Sequence, residues 1–272
     1  MALGKFANRI VGSGEESLDQ IQFNPRNWRV HPLNQQSALS AVLNRVNGLD
    51  PSQLLGTLQS NGKVFLINPN GIIFGQGSRI DVGGLVASSL GITNSDFLTG
   101  SYRFSADSTA GAVNNQGAIT TTAGGLVWLI SPNVENSGVI TAPNGSVMLA
   151  AGQSVHMVDP QRPEIAVVVS APSDQAVNLG SVLTQGGSAG IFGSLVSQQG
   201  VINADSAVAG PGGRIFLKST AATTVAAGSV TTASALDTGD GGRIIVWSDG
   251  DTKVAGTLSA TGGLNGGNGG FI

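Results

Sequence analysis

A short unit of the form Gly–x–aliphatic–x–Ala/Thr recurs along this chain. It stands at Gly117–Ala118–Ile119–Thr120–Thr121 and Gly138–Val139–Ile140–Thr141–Ala142. It returns at Gly200–Val201–Ile202–Asn203–Ala204, Gly228–Ser229–Val230–Thr231–Thr232 and Gly256–Thr257–Leu258–Ser259–Ala260. The first pair is 21 residues apart, and each of the last two steps spans 28. A second mark, glycine followed by an aliphatic or aromatic strand, follows the units, as in Gly213–Arg214–Ile215–Phe216 and Gly242–Arg243–Ile244–Ile245. A period of roughly 20–30 residues holding two or three short strands reads as one coil of a solenoid. Glycine supplies 41 of the 272 residues. Inside a helix each would cost about 1 kcal/mol against alanine, so helical repeats are disfavoured. The pattern predicts an all-β parallel β-helix, with Ile119, Ile140, Ile202, Val230 and Leu258 stacked inward from coil to coil. Asn114, Asn115, Asn133, Asn136 and Asn144 suit its corners, because asparagine tolerates left-handed backbone and bonds locally.

Charged residues are 11% of the chain and the net charge is −3. No Lys/Arg stripe offers phosphates a footprint, so no nucleic-acid partner is expected. Apolar runs such as Leu126–Ile130 and Ile165–Val169 fall far short of the roughly 20 residues of a membrane-spanning helix. Cysteine is absent, which excludes disulfides and thiolate sites. Met1–Ile10 has no apolar run of the signal-peptide kind. Either the chain is not exported or it lacks its native start. It stops inside a repeat, at Gly269–Gly270–Phe271–Ile272, which predicts further coils beyond.

Residues 1–33 read as irregular and loosely packed, with few β-branched residues and prolines at Pro25 and Pro32. A helix is expected at Asp50–Leu58, with Asp50 as cap and Pro51 at the first helical position. A single turn is expected at Asn94–Leu98. Val64–Ile67 and Ile72–Phe74 read as strands that would invite edge pairing unless something covers the first coil. Asp159–Ala176 breaks the rhythm with three prolines and reads as a hairpin outside the coil.

Several patterns resemble catalytic or binding motifs. Gly186–Gly187–Ser188–Ala189–Gly190 matches G-x-S-x-G, but both histidines, His31 and His156, precede it. Gly56 to Gly62–Lys63 lacks the P-loop spacing and hydroxyl. Gly262–Gly270 carries Asn265 and Asn268 where tight calcium binding wants carboxylates. His156 has Asp159 and Glu164 near it in sequence. Asp237, Asp240, Asp249 and Asp251 have only Arg243 and Lys253 close by, so turn aspartates explain them better than a lyase groove. No catalytic residue, metal site or cofactor is expected.

The strongest motif is Asn68–Pro69–Asn70–Gly71, between Val64–Ile67 and Ile72–Ile73–Phe74–Gly75. It has the residues of a type I turn: Asn first, Pro second, Gly fourth. On its own it reads as a structural turn. With Leu43–Asn44–Arg45–Val46, Gly56–Ile72, Gly83–Leu90, Asp96–Gly100, Val158–Pro160 and Ala176–Gly180, the sequence resembles the secretion domain of two-partner-secretion (TPS) exoproteins. This is the filamentous-haemagglutinin family, and the likeness runs over roughly residues 38–272. It implies a right-handed parallel β-helix with extra-helical β-hairpins. Residues 1–33 would be an atypical cap, 34–180 the secretion-domain core and 181–272 continuing coils.

The resemblance further implies a non-enzymatic secretion-targeting domain at the front of a large adhesin or haemagglutinin. Its partner would be an outer-membrane barrel of the TpsB class, reading the domain through POTRA domains. Export would take it to the surface or surroundings of a Gram-negative cell, where the whole exoprotein would meet host glycans or proteins. Asn68, Pro69, Asn70, Gly71 and Ile72 would form the secretion motif. A polysaccharide-lyase-like β-helix enzyme and an autotransporter passenger are the alternatives.

Overall fold

The computed structural model describes residues 11–12, 37, 40–106, 110–157 and 174–272. The chain winds as a parallel β-helix whose coils place strands on three faces. The first face holds Ala41–Arg45, the second half of Thr57–Ile67, the second half of Arg79–Ser88, then Leu126–Ser131, Ser146–Ala151 and the first half of Ser188–Gln198. Arg214–Ser219 and Arg243–Ser248 continue it. The second face runs from Ser52–Leu54 through Ile72–Phe74, Val113–Asn115, Asn133–Asn136 and Gln175–Asn178 to Asp251–Val254. The third carries the repeat units themselves.

The repeat glycines stand at corners where coils touch backbone to backbone. A Cβ on Gly138, Gly180 or Gly200 would strike the carbonyl oxygen of the glycine one coil earlier. The corner between the third and first faces repeats this at Gly145, Gly187, Gly213, Gly242 and Gly270. No larger residue fits such a corner without displacing the neighbouring coil.

The inward column of the third face is Leu58, Ile80, Ile119, Ile140, Val182, Ile202, Thr231 and Leu258, paired rung to rung. Ile119, Ile140 and Ile202 are fully buried, as expected. Val230 is not inward: strand register pairs Ile202 with Thr231, so Thr231 is buried and Val230 faces out. Val182 fills the gap between Ile140 and Ile202, in a unit of the same form, Gly180–Ser181–Val182–Leu183–Thr184.

The inward column of the second face changes character along its length: Leu54, Phe74, Asn115, Asn136, Asn178, Gln198, Val225 and Val254. Asn115 Nδ2 donates to Asn136 Oδ1, Asn136 Nδ2 to Asn178 Oδ1, and Asn178 Nδ2 to Gln198 Oε1, each at 2.8 Å. Gln198 Nε2 donates to Gly200 O (3.0 Å) and reaches Thr231 Oγ1 at 3.5 Å. Thr231 therefore stands in the aliphatic column where the amide column ends. Asn115 and Asn136 were expected at corners; they are instead fully buried rungs of this column. Asn144 does take a corner, at φ 51°.

Outside the first face lies a second apolar layer, in which Leu43, Phe65, Val86, Trp128 and Met148 are buried. An antiparallel pair, Tyr102–Ser105 with Ser154–Met157, and a short helix, Asn94–Thr99, cover it. Thr93 Oγ1 caps the helix by accepting from Asp96 N (3.0 Å), and left-handed Gly100 ends it. Phe97 packs edge-on against Phe65 at 5.0 Å, and Tyr102 stacks on Phe65 at 6.0 Å. Arg45 ties the first coil to this cover through Asn94 Oδ1 (2.7 Å) and Ile92 O (2.6 Å).

Two further expectations change. Asp50–Leu58 is not a helix. Ser52–Leu54 and Thr57–Ile67 are strands, because Ser52 and Leu54 point inward in alternation and pair with Ile72–Phe74. Val64–Ile67 and Ile72–Phe74 are not an open front edge: Ala41–Arg45 and Ser52–Leu54 cover them. Val11–Gly12 pairs antiparallel with Val42–Leu43 ahead of that coil. The extra-helical hairpin expected at Asp159–Ala176 lies mostly outside the described residues, and its last residues are strand Gln175–Asn178 of the second face. The rest of the 1–33 cap is also outside them.

Candidate functional site

The Asn68–Gly71 segment closes as the turn its residues imply, with Gly71 N donating to Asn68 O at 2.9 Å. Asn68 Oδ1 accepts from Asn70 N (3.0 Å), the local bond of an Asx turn. Gly71 adopts φ 106°, open to glycine, and a Cβ there would meet Ala112 O at 2.7 Å.

The two asparagines reach back one coil. Asn68 is fully buried, and its Nδ2 donates to Asp50 O (3.0 Å) and Ser52 Oγ (2.9 Å). Asn70 Nδ2 donates to Gly48 O (2.7 Å). Forward, Ile72 N donates to Ala112 O and Gly111 N to Pro69 O. The motif thus clamps the bend 48–52 behind it and the bend 111–112 ahead of it. Asn68, Gly71 and Ile72 are buried, Asn70 is half-buried, and Pro69 alone of the motif is exposed. Sequence reasoning missed Ser52 and Gly111. The turn signal read from Asp50–Pro51 as a helix start marks the bend that Asn68 holds.

The other patterns have structural places. Ser188 begins a strand, buried, with no helix after it. Asp237 Oδ1 accepts from Asn265 Nδ2 (2.6 Å), Asp240 Oδ1 from Asn268 N (2.7 Å), and Asp249 Oδ1 from Trp247 Nε1 (3.0 Å). The first two bonds join bends 28 residues apart and the third closes a local bend, whereas Asp251, also expected in a turn, begins the strand Asp251–Val254. His156 sits on the outer antiparallel strand pair opposite Arg103; Asp159 and Glu164 are outside the described residues. Among the described residues no cluster of three metal-ligating side chains occurs.

A family model described as "TPS secretion domain" matches residues 20–209. Two heme/hemopexin-binding proteins of Haemophilus influenzae are similar over part of the chain. One is 36% identical over 93 residues, 34% of this chain and 10% of that protein. The other, from strain ATCC 51907 / DSM 11121 / KW20 / Rd, is 39% identical over 127 residues, 43% of this chain and 14% of that protein. The matched stretch is thus a small share of each relative's length. Among solved structures, the HMW1 secretion domain from Haemophilus influenzae superposes with a TM-score of 0.70 at 28% identity, covering 89% of this chain and 88% of that one.

Proposed function

Because the chain belongs to the TPS secretion domain family, we propose that it directs export of a large exoprotein, an adhesin or haemagglutinin, from a Gram-negative cell. Its partner is an outer-membrane barrel of the TpsB class that engages it through periplasmic POTRA domains. A non-enzymatic role is part of this reading, supported by the strand and turn contacts of the serine and aspartates that resemble catalytic groups. Parallel pairing between distant segments folds slowly. The later coils therefore stay open until the front of the domain has met its partner, and close outside the cell.

The reading of Asn68, Pro69, Asn70, Gly71 and Ile72 rests on one observation, that both asparagine side chains spend their donors on the previous coil. The motif serves export by setting the front coils, and Pro69 with the open side of Asn70 is what it offers a partner. A surface turn bond would be worth about 1 kcal/mol. Asn68→Ala instead strands the buried Ser52 Oγ, at about 1–3 kcal/mol, and also releases the part-buried Asp50 O and Asn70 N.

The test is co-expression with the cognate barrel, measuring the extracellular fraction of each variant beside its refolding in vitro. Asn68→Ala is expected to lower export in step with stability. Pro69→Ala and Asn70→Ala are expected to lower export of a domain that still refolds. Wild-type export of a chain lacking residues 40–72 would refute the targeting role, and wild-type export of Pro69→Ala with Asn70→Ala would refute a contact at the turn.

A further inference from the structure

The glycine corner between the third and first faces leaves a channel along the solenoid. Its floor has no side chains because none fits between the coils. Two clefts lie on it, of about 440 Å³ and about 680 Å³, side by side, with Gly186 and Arg214 lining both. Lys63 lines the front cleft, and Arg243 and Phe271 line the rear one.

The wall of this channel is one column of the first face. Ser146 pairs with Ser188, Ser188 with Arg214, and Arg214 with Arg243. At about 4.8 Å per rung, these side chains succeed one another over about 14 Å. Arg214 and Arg243 are exposed, directly opposite one another, and without an ion pair among the described residues. Like charges so placed destabilise a sheet. Arg243 also lies over the Phe271 ring at 5.0 Å. The carboxylate lining the clefts, Asp240, already accepts from Asn268. Ser146 Oγ is buried beside the channel with no hydrogen-bond partner among the described residues.

We propose that this channel binds an acidic polysaccharide laid along the solenoid axis. Its carboxylate or sulfate groups pair with Arg214 and Arg243, and its sugar rings lie over the glycine floor beside them. The charge calls for an anion, and a floor of glycines bare of side chains lets a thin chain lie along it. The channel holds no acid–base pair, so it binds without cleaving. This site is separate from the secretion motif and stands or falls independently of it.

The test uses the purified 272-residue chain and calorimetric titration with four probes of similar length: oligogalacturonate, a heparin oligosaccharide, a neutral maltooligosaccharide and oligothymidylate. Oligogalacturonate or heparin is expected to bind, more weakly as salt rises, and which of them binds separates carboxylate from sulfate recognition. Arg214→Ser with Arg243→Ser should weaken that binding at least tenfold with an unchanged melting midpoint. Lys253→Ser, a charge loss on the second face, should leave it unchanged. Should the double variant fold poorly, Arg243→Glu alone carries the same expectation. Binding of neither acidic sugar overturns the proposal. So does equal binding of the neutral sugar or of oligothymidylate, or equal weakening by Lys253→Ser.

Discussion

Replacing Asn136 by alanine removes the middle of the buried amide column. Asn136 accepts from Asn115 and donates to Asn178, each at 2.8 Å, and all three residues are fully buried. The substitution leaves Asn115 Nδ2 without an acceptor and Asn178 Oδ1 without a donor, where water does not reach. Each orphaned group costs about 1–3 kcal/mol, so the loss should be about 2–6 kcal/mol, a large part of the stability of an ordinary domain. Urea unfolding followed by tryptophan fluorescence measures it. The informative companion converts the whole column at once: Asn115→Val, Asn136→Val, Asn178→Val and Gln198→Leu. Most donors and acceptors then leave together, and the orphans are the Gly117 N–H that donates to Asn115 Oδ1 at 3.2 Å and Thr231 Oγ1, which Gln198 Nε2 reaches at 3.5 Å. The column joins Phe74 on one side to Val225 on the other. The fourfold variant should therefore lose less than Asn136→Ala alone. A loss below about 1 kcal/mol for the single variant, or a fourfold loss several times larger, would refute this account of the column.

Gly187→Ala would drive a Cβ into the Gly145 carbonyl oxygen and should abolish a cooperative melt, whereas Gly124→Ala has open space and should cost only about 1 kcal/mol for its positive φ. Ile202→Asp places an unpaired carboxylate in the aliphatic column and should cost several kcal/mol in urea. Burial raises the Asp174 pKa above 3.8, and its Oδ2 has no hydrogen-bond partner among the described residues. The folded state then holds its proton more tightly than the unfolded one, so this contribution is present below pH 3.8 and fades as pH rises through the folded value. Asp174→Asn should remove that decline and stabilise the neutral-pH protein; a variant whose stability–pH curve parallels the wild type would count against it.

The repeat glycines and the stacked Ile119, Ile140 and Ile202 were legible because every coil presents the same backbone contact and the same core slot, so the residue types recur along the chain. The turn expected at Asn94–Leu98 is the short helix Asn94–Thr99, whose cap Thr93 and terminating Gly100 flank it directly in sequence. Asp50–Leu58 misled because a proline after an aspartate opens a helix or a strand equally well; only the pairing of Ser52–Leu54 with Ile72–Phe74 decides. Val230 and Thr231 show the same limit in one position. The apolar residue is the better candidate for a core slot, yet register gives the slot to the threonine beside Gln198. For the turn, its shape could be read from four residues, but not its reach. The partners of Asn68 and Asn70 lie 16 to 22 residues earlier, on a bend whose position depends on the coil.

Rungs of the amide column are evenly spaced in the fold but unevenly spaced along the chain: 21 residues from Asn115 to Asn136, 42 from Asn136 to Asn178, and 20 from Asn178 to Gln198. A molecule pulled from its C-terminal end would shed one rung of contacts per event and release whatever length its corners had stored. At roughly 3.3–3.6 Å per extended residue, ordinary coils would lengthen the tether by about 70 Å, and the coil carrying the long excursion by about 145 Å. Its force–extension trace would be a sawtooth of similar peak heights and unequal steps, in which the insertions can be read off by length alone.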